Sequence, residues 1–434
     1  MNRRLGLRHP GTSVWYLIGL ALLAANLRAA ITGMSPLLTQ LQAVLHLSGL
    51  ETSTLATLPV LCLGTFAATA PALARRFGAE ATVTFALVLT AVGTVLRVAP
   101  GSGVLGLFAG TVTAGSGIAI GGALMPAVIK HHFPDRVGTL TGITMTLMAC
   151  SGAAAAAAAV PLDDLAGWRT AVAVWALPAL AAAVAWSPLA ARSRPTGPRR
   201  ALPQAREGTL RGSGLAWAVS AFLGVVSLMF YVLVAWLPQI MTQRGYTAAE
   251  AGAMVSLMLA TGIPFGFLTP YLAARLDDQR PLVVVIVAVK VVGLGGILLL
   301  PGYAWVWTAV LGVATGSAFP LAMTLLSLRS PTPEVTARLS GMAQTSGYLL
   351  AGTGPLAFGV LRAATGGWAV PLTALGCLMV PEVLCGLRAA RPGHVRPRLA
   401  GRGAGVGAGH PVSSLPQSDL GLLLTAESAT QPTR

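Results

Sequence analysis

Residues 281–300 read PLVVVIVAVKVVGLGGILLL, a stretch with a single charged residue, Lys290. A helix needs roughly 20 apolar residues to cross about 30 Å of hydrocarbon, so this stretch is long enough to span a bilayer. Comparable stretches lie on both sides of it. The twelve together fall near residues 13–34, 52–74, 81–98, 104–129, 138–160, 170–190, 215–238, 250–273, 281–300, 305–328, 339–361 and 370–388. Because the runs lack the alternation of barrel strands, we predict an all-α integral membrane protein.

Composition excludes a soluble enzyme. Hydrophobic residues make up 54% of the chain and charged residues only 10%, whereas soluble domains carry about 25% charged residues. The sequence also has no phosphate-binding loop, no metal-ligand spacing of Cys and His, and no Ser–His–Asp set. We therefore predict a protein that is not an enzyme and has no cofactor or metal.

The basic residues predict the orientation. With both termini in the cytoplasm, 23 Lys and Arg residues fall on the inner side and only four, Arg97, Arg169, Arg244 and Arg362, on the outer side. Such an excess marks the cytoplasmic face of a cell-membrane protein. The basic residues that produce the net charge of +16 face the anionic inner leaflet. The charge therefore needs no nucleic-acid partner to explain it.

The two halves of the chain share features at a constant offset of 199 residues. The paired features are the capping boxes Ser48–Glu51 and Thr247–Glu250, the prolines Pro71 and Pro270, and the dipeptides Thr141-Gly142 and Ser340-Gly341. Such agreement indicates an internal duplication of the kind that places a transporter's site between two halves. We predict a six-helix half at 1–190, a cytoplasmic linker at 191–214, a second half at 215–388 and a disordered cytoplasmic tail at 389–434.

Several motifs resemble those of the major facilitator superfamily. They are Pro71–Gly78 after the second span and its echo Pro270–Arg280 after the eighth. The chain is similar, more narrowly, to the cyanate/2-nitroimidazole transporter family in Asn26–Arg28, Leu58–Cys62, Phe133–Arg136, Ala235–Pro238, Asp278–Pro281 and Leu339–Gln344. The resemblance implies two pseudo-symmetric six-helix bundles and a path lined by spans 1, 4, 7 and 10, with 5 and 11 contributing. It also implies a substrate site at Arg28. One departure is that residues 72–78 lack the acidic residue of the superfamily pattern.

Polar residues inside the spans are the predicted substrate-binding residues, because each is costly in an apolar span. Arg28 lies on a small, polar face of the first span with Thr32, which suits an anion or a carbonyl group. The other predicted residues are Asn26, Ser227, Tyr231, Trp236, Gln344 and Tyr348. The alternative for Arg28 is a structural arginine, and for the others interhelical hydrogen bonds or an interfacial aromatic belt. The alternative is favoured for Asn26, which lies about 200° around the helix from Arg28, and for Trp236.

Charged residues on the inner side are predicted to form a gate of ion pairs between the halves, which break as the halves rock. The alternative is that these charges only set the membrane topology. The gate residues are Arg75, Arg76, Asp135, Arg136, Asp277, Asp278, Arg280, Glu334 and Arg338. Lys290 is expected to reach a lipid headgroup from a peripheral span. His131 and His132 are placed in a cytoplasmic loop. Only Glu382 is an acidic residue deep in a span, so coupling to protons stays open.

These features predict a secondary active or facilitative transporter that works by alternating access. Its cargo is a small polar organic solute or anion, similar to cyanate or a nitroimidazole. The alternative is a proton-coupled multidrug exporter of the same fold. We expect it to function as a monomer in the lipid bilayer of the cell membrane.

Overall fold

The computed structural model describes residues 10–192 and 209–395. This part of the chain is almost entirely helical. Its long helices, numbered here in chain order, are α1 (Pro10–Thr32), α2 (Gly49–Phe66, continued by Ala70–Phe77), α3 (Ala79–Leu96), α4 (Gly103–His132), α5 (Val137–Ala173), α6 (Ala176–Arg192), α7 (Gly214–Thr242), α8 (Ala248–Ala273), α9 (Arg280–Leu299), α10 (Ala304–Leu328), α11 (Pro333–Thr365) and α12 (Ala369–Cys377 with Met379–Ala389).

The twelve predicted spans correspond to these helices. Within the described residues, ten helical segments are long and apolar enough to cross a membrane. One of them, Pro134–Ala191, contains both α5 and α6, with the chain turning at Gly167, whose φ is +80°. The remaining helix, α11, is not among the ten because it is more polar. The predicted all-α, twelve-helix fold is therefore confirmed.

The two predicted capping boxes are present and have the same geometry. Ser48 Oγ accepts a hydrogen bond from Glu51 N at 3.2 Å, and the Glu51 carboxylate accepts one from Ser48 N at 2.8 Å. Thr247 and Glu250 repeat both bonds at the same distances. Each box satisfies amide groups that the first turn of a helix leaves free.

The duplicated glycines let helices of the two halves approach closely. A Cβ on Gly142 of α5 would lie 2.8 Å from the carbonyl oxygen of Phe267 in α8. A Cβ on Gly341 of α11 would lie 3.0 Å from Pro71 Cγ in α2. Both contacts lie toward the end of the bundle that carries the α2–α3, α4–α5, α8–α9 and α10–α11 connections. We call it the Arg-rich end. Small residues at these positions allow backbone contact between the bundles.

The expected lipid-facing position of Lys290 is wrong. Its side chain is 1% exposed, and its ammonium group lies 2.5 Å from Glu382 Oε1, which belongs to α12 and is fully buried. Two charges are thus taken out of the membrane by pairing with each other. The pairing depends on α9 and α12 being neighbours, which the sequence of either helix does not reveal.

Arg97, which the charge count placed on the outer side, is buried. It follows α3 directly and is 1% exposed. Its guanidinium donates to the Ala30 carbonyl oxygen of α1 at 2.6 Å and to Thr111 Oγ1 of α4 at 3.1 Å. These two bonds compensate part of the cost of burying the cation, while its Nη2 has no hydrogen-bond partner among the described residues.

The packed structure extends beyond the predicted start of the disordered tail at residue 389. Ala389, Ala390 and Val395 are buried. Arg329 donates to the carbonyl oxygens of Ala389 and Ala390 at 2.9 and 3.0 Å, and its own carbonyl accepts from Val395 N at 2.7 Å. The rest of the predicted tail, residues 396–434, and most of the predicted linker, residues 193–208, lie outside the described residues.

Replacing one partner of the Lys290–Glu382 pair should destabilise the protein. Lys290→Met or Glu382→Leu leaves one ionisable group buried without its partner, a loss of about 3 to 5 kcal/mol. The double replacement Lys290→Met with Glu382→Leu removes both charges and should recover most of that loss. Unfolding of the purified protein in detergent micelles measures all three variants. Single variants as stable as the native chain would contradict a paired state.

Candidate functional site

Arg28 is held on α1 against α5. A Cβ on Gly152 would lie 3.0 Å from Arg28 Cγ, so the absence of a side chain at that position makes room for the arginine. One turn farther along α1, Thr32 Oγ1 donates to the Gly152 carbonyl oxygen at 2.9 Å. These two contacts fix the turn of α1 that presents the guanidinium.

The Arg28 side chain extends from the first half toward the second. Its Cζ atom lies 5.8 Å from the centre of the Phe230 ring in α7. Tyr231 of α7 and Tyr348 of α11 are close enough to interact electrostatically with Arg28, and also with each other. The structure thus brings together three of the predicted residues and adds Phe230. A cation held against an aromatic face gains about 0.5 to 2 kcal/mol.

The Arg28 guanidinium has no acidic partner among the described residues. The ion pairs of this part of the chain join His132 with Glu80, Arg280 with Asp278, and Lys290 with Glu382. Arg28 itself is only partly buried. A guanidinium with accessible donors can bind a carboxylate, a nitro group or another planar acceptor through two parallel hydrogen bonds.

Other polar side chains lie close to the two tyrosines in the sequences of α7 and α11. Gln344 Nε2 donates to Ser340 Oγ at 2.9 Å and to the Gly122 carbonyl oxygen of α4 at 3.3 Å, which joins the two halves. Ser227 and Thr345 have buried hydroxyl groups for which the described residues supply no hydrogen-bond partner. Ser227 lies one helical turn before Tyr231. Both hydroxyl oxygens are enclosed by the protein, and a buried hydroxyl group without a partner is unfavourable.

Two predicted substrate-binding residues lie away from Arg28. Asn26 Nδ2 donates to the Leu22 carbonyl oxygen at 2.8 Å and to that of Pro178 in α6 at 3.1 Å, which is the interhelical alternative. Trp236 donates from Nε1 to the Pro355 carbonyl oxygen at 2.9 Å, and its ring lies 5.5 Å from that of Trp368. Neither side chain is directed at the guanidinium.

The predicted gate residues lie around the Arg-rich end. Six of the nine are exposed: Arg75, Arg76, Asp135, Arg136, Asp277 and Glu334. Arg280, the first residue of α9, pairs with Asp278 two residues before it, at 3.7 Å between Nε and Oδ1. A gate formed by these residues stays a prediction.

Lys130, one of the 23 basic residues on the predicted inner side, connects the two halves. Its ammonium group at the end of α4 donates to the Ser327 carbonyl oxygen at the end of α10 at 2.5 Å, and also to the Ser330 carbonyl oxygen. Ser327 Oγ in turn donates to the Pro126 carbonyl oxygen of α4 at 3.3 Å. The last carbonyls of a helix carry partial negative charge, so a lysine is well placed there. We call this set of contacts the Lys130 latch.

Comparison with known proteins identifies the class to which this protein belongs. The model of the Major Facilitator Superfamily matches residues 17–355. The chain belongs to this superfamily. It is therefore a multi-pass membrane protein, and its relatives are transporters rather than enzymes.

The similar proteins include three bacterial transporters that match over most of their length. The chain is 36% identical to the uncharacterized transporter YycB of Bacillus subtilis, covering 88% of this chain and 95% of that protein. It is 36% identical to the 2-nitroimidazole transporter of Escherichia coli, with 87% and 96% covered. It is 30% identical to the cyanate transport protein CynX of Escherichia coli, with 81% and 91% covered.

Solved structures of the superfamily share the fold. The proton:xylose symporter XylE matches with a TM-score of 0.69 at 15% identity, covering 87% of this chain and 95% of that one. At this level of identity the likeness concerns the fold alone.

Arg28 should react with phenylglyoxal, an arginine-selective reagent, much faster than Arg97. Arg28 is partly exposed and has no acidic partner among the described residues, whereas Arg97 is 1% exposed and donates to two acceptors. Mass spectrometry of peptides from the folded, labelled protein gives both rates, with exposed Arg169 as the reference. Equal protection of Arg28 and Arg97 would contradict an accessible guanidinium.

Proposed function

We propose that the protein is a secondary transporter of a small polar organic solute or anion, similar to cyanate or a nitroimidazole. Arg28 binds the negatively charged or electron-rich end of this solute. Phe230, Tyr231 and Tyr348 offer aromatic faces and hydroxyl groups to a planar solute, as ligand sites commonly do. The single observation that supports the proposal most is the Arg28 guanidinium between the two halves without an acidic partner among the described residues.

The proposed mechanism is alternating access. At the Arg-rich end, the Lys130 latch and the close contacts at Gly142 and Gly341 hold the two halves together. We propose that this end faces the cytoplasm, because the basic residues concentrate there. Opening it requires the Lys130 ammonium group to leave the α10 carbonyl oxygens. The latch therefore stabilises the state described here over the inward-open state.

Replacing Arg28 with Ala should reduce uptake of cyanate or a 2-nitroimidazole into proteoliposomes roughly 30-fold or more. Truncating one partner of a desolvated, hydrogen-bonded charge pair costs about 2 to 5 kcal/mol. Arg28→Lys keeps the charge but loses the two parallel donors, so we expect it to recover only part of the uptake. Runs with and without an imposed pH gradient show whether protons are coupled.

Arg169→Ala is the matched control, because it removes an exposed arginine that lies against Trp168 and away from the site. Its uptake should equal that of the native protein. Uptake that is normal in Arg28→Ala would disprove the proposed role. Absence of uptake in every folded variant, together with transport of bulky apolar compounds, would instead indicate the multidrug exporter.

Replacing Lys130 with Met should shift the protein toward the inward-open state. Loss of hydrogen bonds from a charged donor costs about 1.5 to 3 kcal/mol each, which changes the ratio of the two states roughly tenfold or more. Spin labels at residues 136 and 331, both exposed at the Arg-rich end, report the change as a longer distance in electron paramagnetic resonance.

Two further variants make this test specific to the latch. Lys130→Arg retains a cationic donor and should keep the short distance. Arg75→Ala removes an exposed charge of the predicted gate and should change the distance less than Lys130→Met does. An unchanged distance in Lys130→Met would contradict a latch at this position.

A further inference from the structure

Three metal-binding side chains meet at the Arg-rich end, where α3 begins and α4 ends. Glu80 belongs to the first turn of α3, and His131 and His132 end α4. One ligand atom from each of the three lies within 4.8 Å of the other two. His132 Nε2 is already 3.0 Å from Glu80 Oε1. The prediction that His131 and His132 lie in a loop is wrong, because α4 continues through both of them.

The cluster is held in place by aromatic residues of α1 and α6. The Tyr16 ring stacks on the His132 ring, with 3.6 Å between centroids and 26° between planes. Trp186 lies edge-on to Tyr16 at 6.2 Å and donates from Nε1 to the Gly19 carbonyl oxygen at 2.8 Å. Such support reduces the rearrangement that a ligand would require. The side chains of His132 and Glu80 are 6% and 9% exposed, whereas His131 is exposed and offers a route from solvent.

We propose that Glu80, His131 and His132 bind a transition-metal dication such as Zn²⁺, Ni²⁺ or Co²⁺. Two imidazole nitrogens and one carboxylate oxygen suit these ions, whereas Mg²⁺ and Ca²⁺ require mostly oxygen ligands. With three protein ligands, a fourth position is left for water on the side of His131. Metal–ligand distances of about 2.0 to 2.2 Å require the three ligand atoms, which lie within 4.8 Å of one another, to move closer together. The ion replaces the hydrogen bond between His132 and Glu80.

The neighbouring cation does not occupy this position. Lys130 directly precedes the two histidines, but its ammonium group is directed at the α10 carbonyl oxygens of the latch. All three metal ligands belong to the first half, so the ion does not bridge the halves. It fixes the last turn of α4, which is the turn that presents Lys130. The proposal does not depend on the identity of the transported solute.

The test is calorimetric titration of the full-length, untagged, chelator-treated protein in detergent with ZnCl₂, and separately with MgCl₂. We expect one zinc ion to bind to this site and magnesium to give no signal. His131→Ala, His132→Ala and Glu80→Gln should each weaken zinc affinity about tenfold or more, which is 1.4 kcal/mol or more. Because His131 is exposed, His131→Ala tests the site even if the buried variants fold poorly.

His394→Ala is the control, since it removes an exposed histidine outside the cluster and should leave this affinity unchanged. Titration with CoCl₂ gives an independent readout, because imidazole-bound cobalt absorbs visible light and His131→Ala should abolish that absorption. Zinc affinity that is the same in His131→Ala and in the native protein would overturn the proposal. Absence of zinc binding in the native protein would overturn it as well.

Discussion

A positive charge inside an apolar helix bundle must be compensated by the protein, because the surrounding hydrocarbon supplies no partner. This constraint explains several interhelical contacts of the structure. Lys290 pairs with Glu382 and joins α9 to α12. Arg97 donates to Ala30 and Thr111 and joins α3 to α1 and α4. Each of these cations strengthens the packing within one half.

Arg28 differs from these cations in what compensates it. Its neighbours are the Phe230 ring and two tyrosines, and the described residues offer it no carboxylate. Its position also differs, because the contact with Phe230 crosses from the first half to the second. Lys290 and Arg97 connect helices within one half, whereas Arg28 lies at a contact between the halves and has no acidic partner among the described residues.

The sequence predicts the features that depend on local pattern. The length of the apolar stretches predicts the helices, and the spacing of Ser48 and Glu51 predicts a helix cap. A single cation on a polar helix face makes Arg28 a predicted substrate-binding residue. The sequence does not predict which helices become neighbours. The partners of the charged residues depend on those neighbours. Lys290 and Glu382 are both visible in the sequence, but their pairing requires α9 beside α12. The same holds for Lys130, whose acceptors are backbone carbonyls with no side-chain signal.

Helix α11 shows how function and hydropathy conflict in such a protein. It is too polar to satisfy the apolarity that marks the other spans, and its polar residues include Ser340, Gln344 and Thr345. The bond between Gln344 and Ser340 and the bond from Gln344 to Gly122 lower the cost of burying them. Thr345 remains without a partner among the described residues. Helix α11 thus departs from the apolar pattern where it contacts α4 and α2 of the other half.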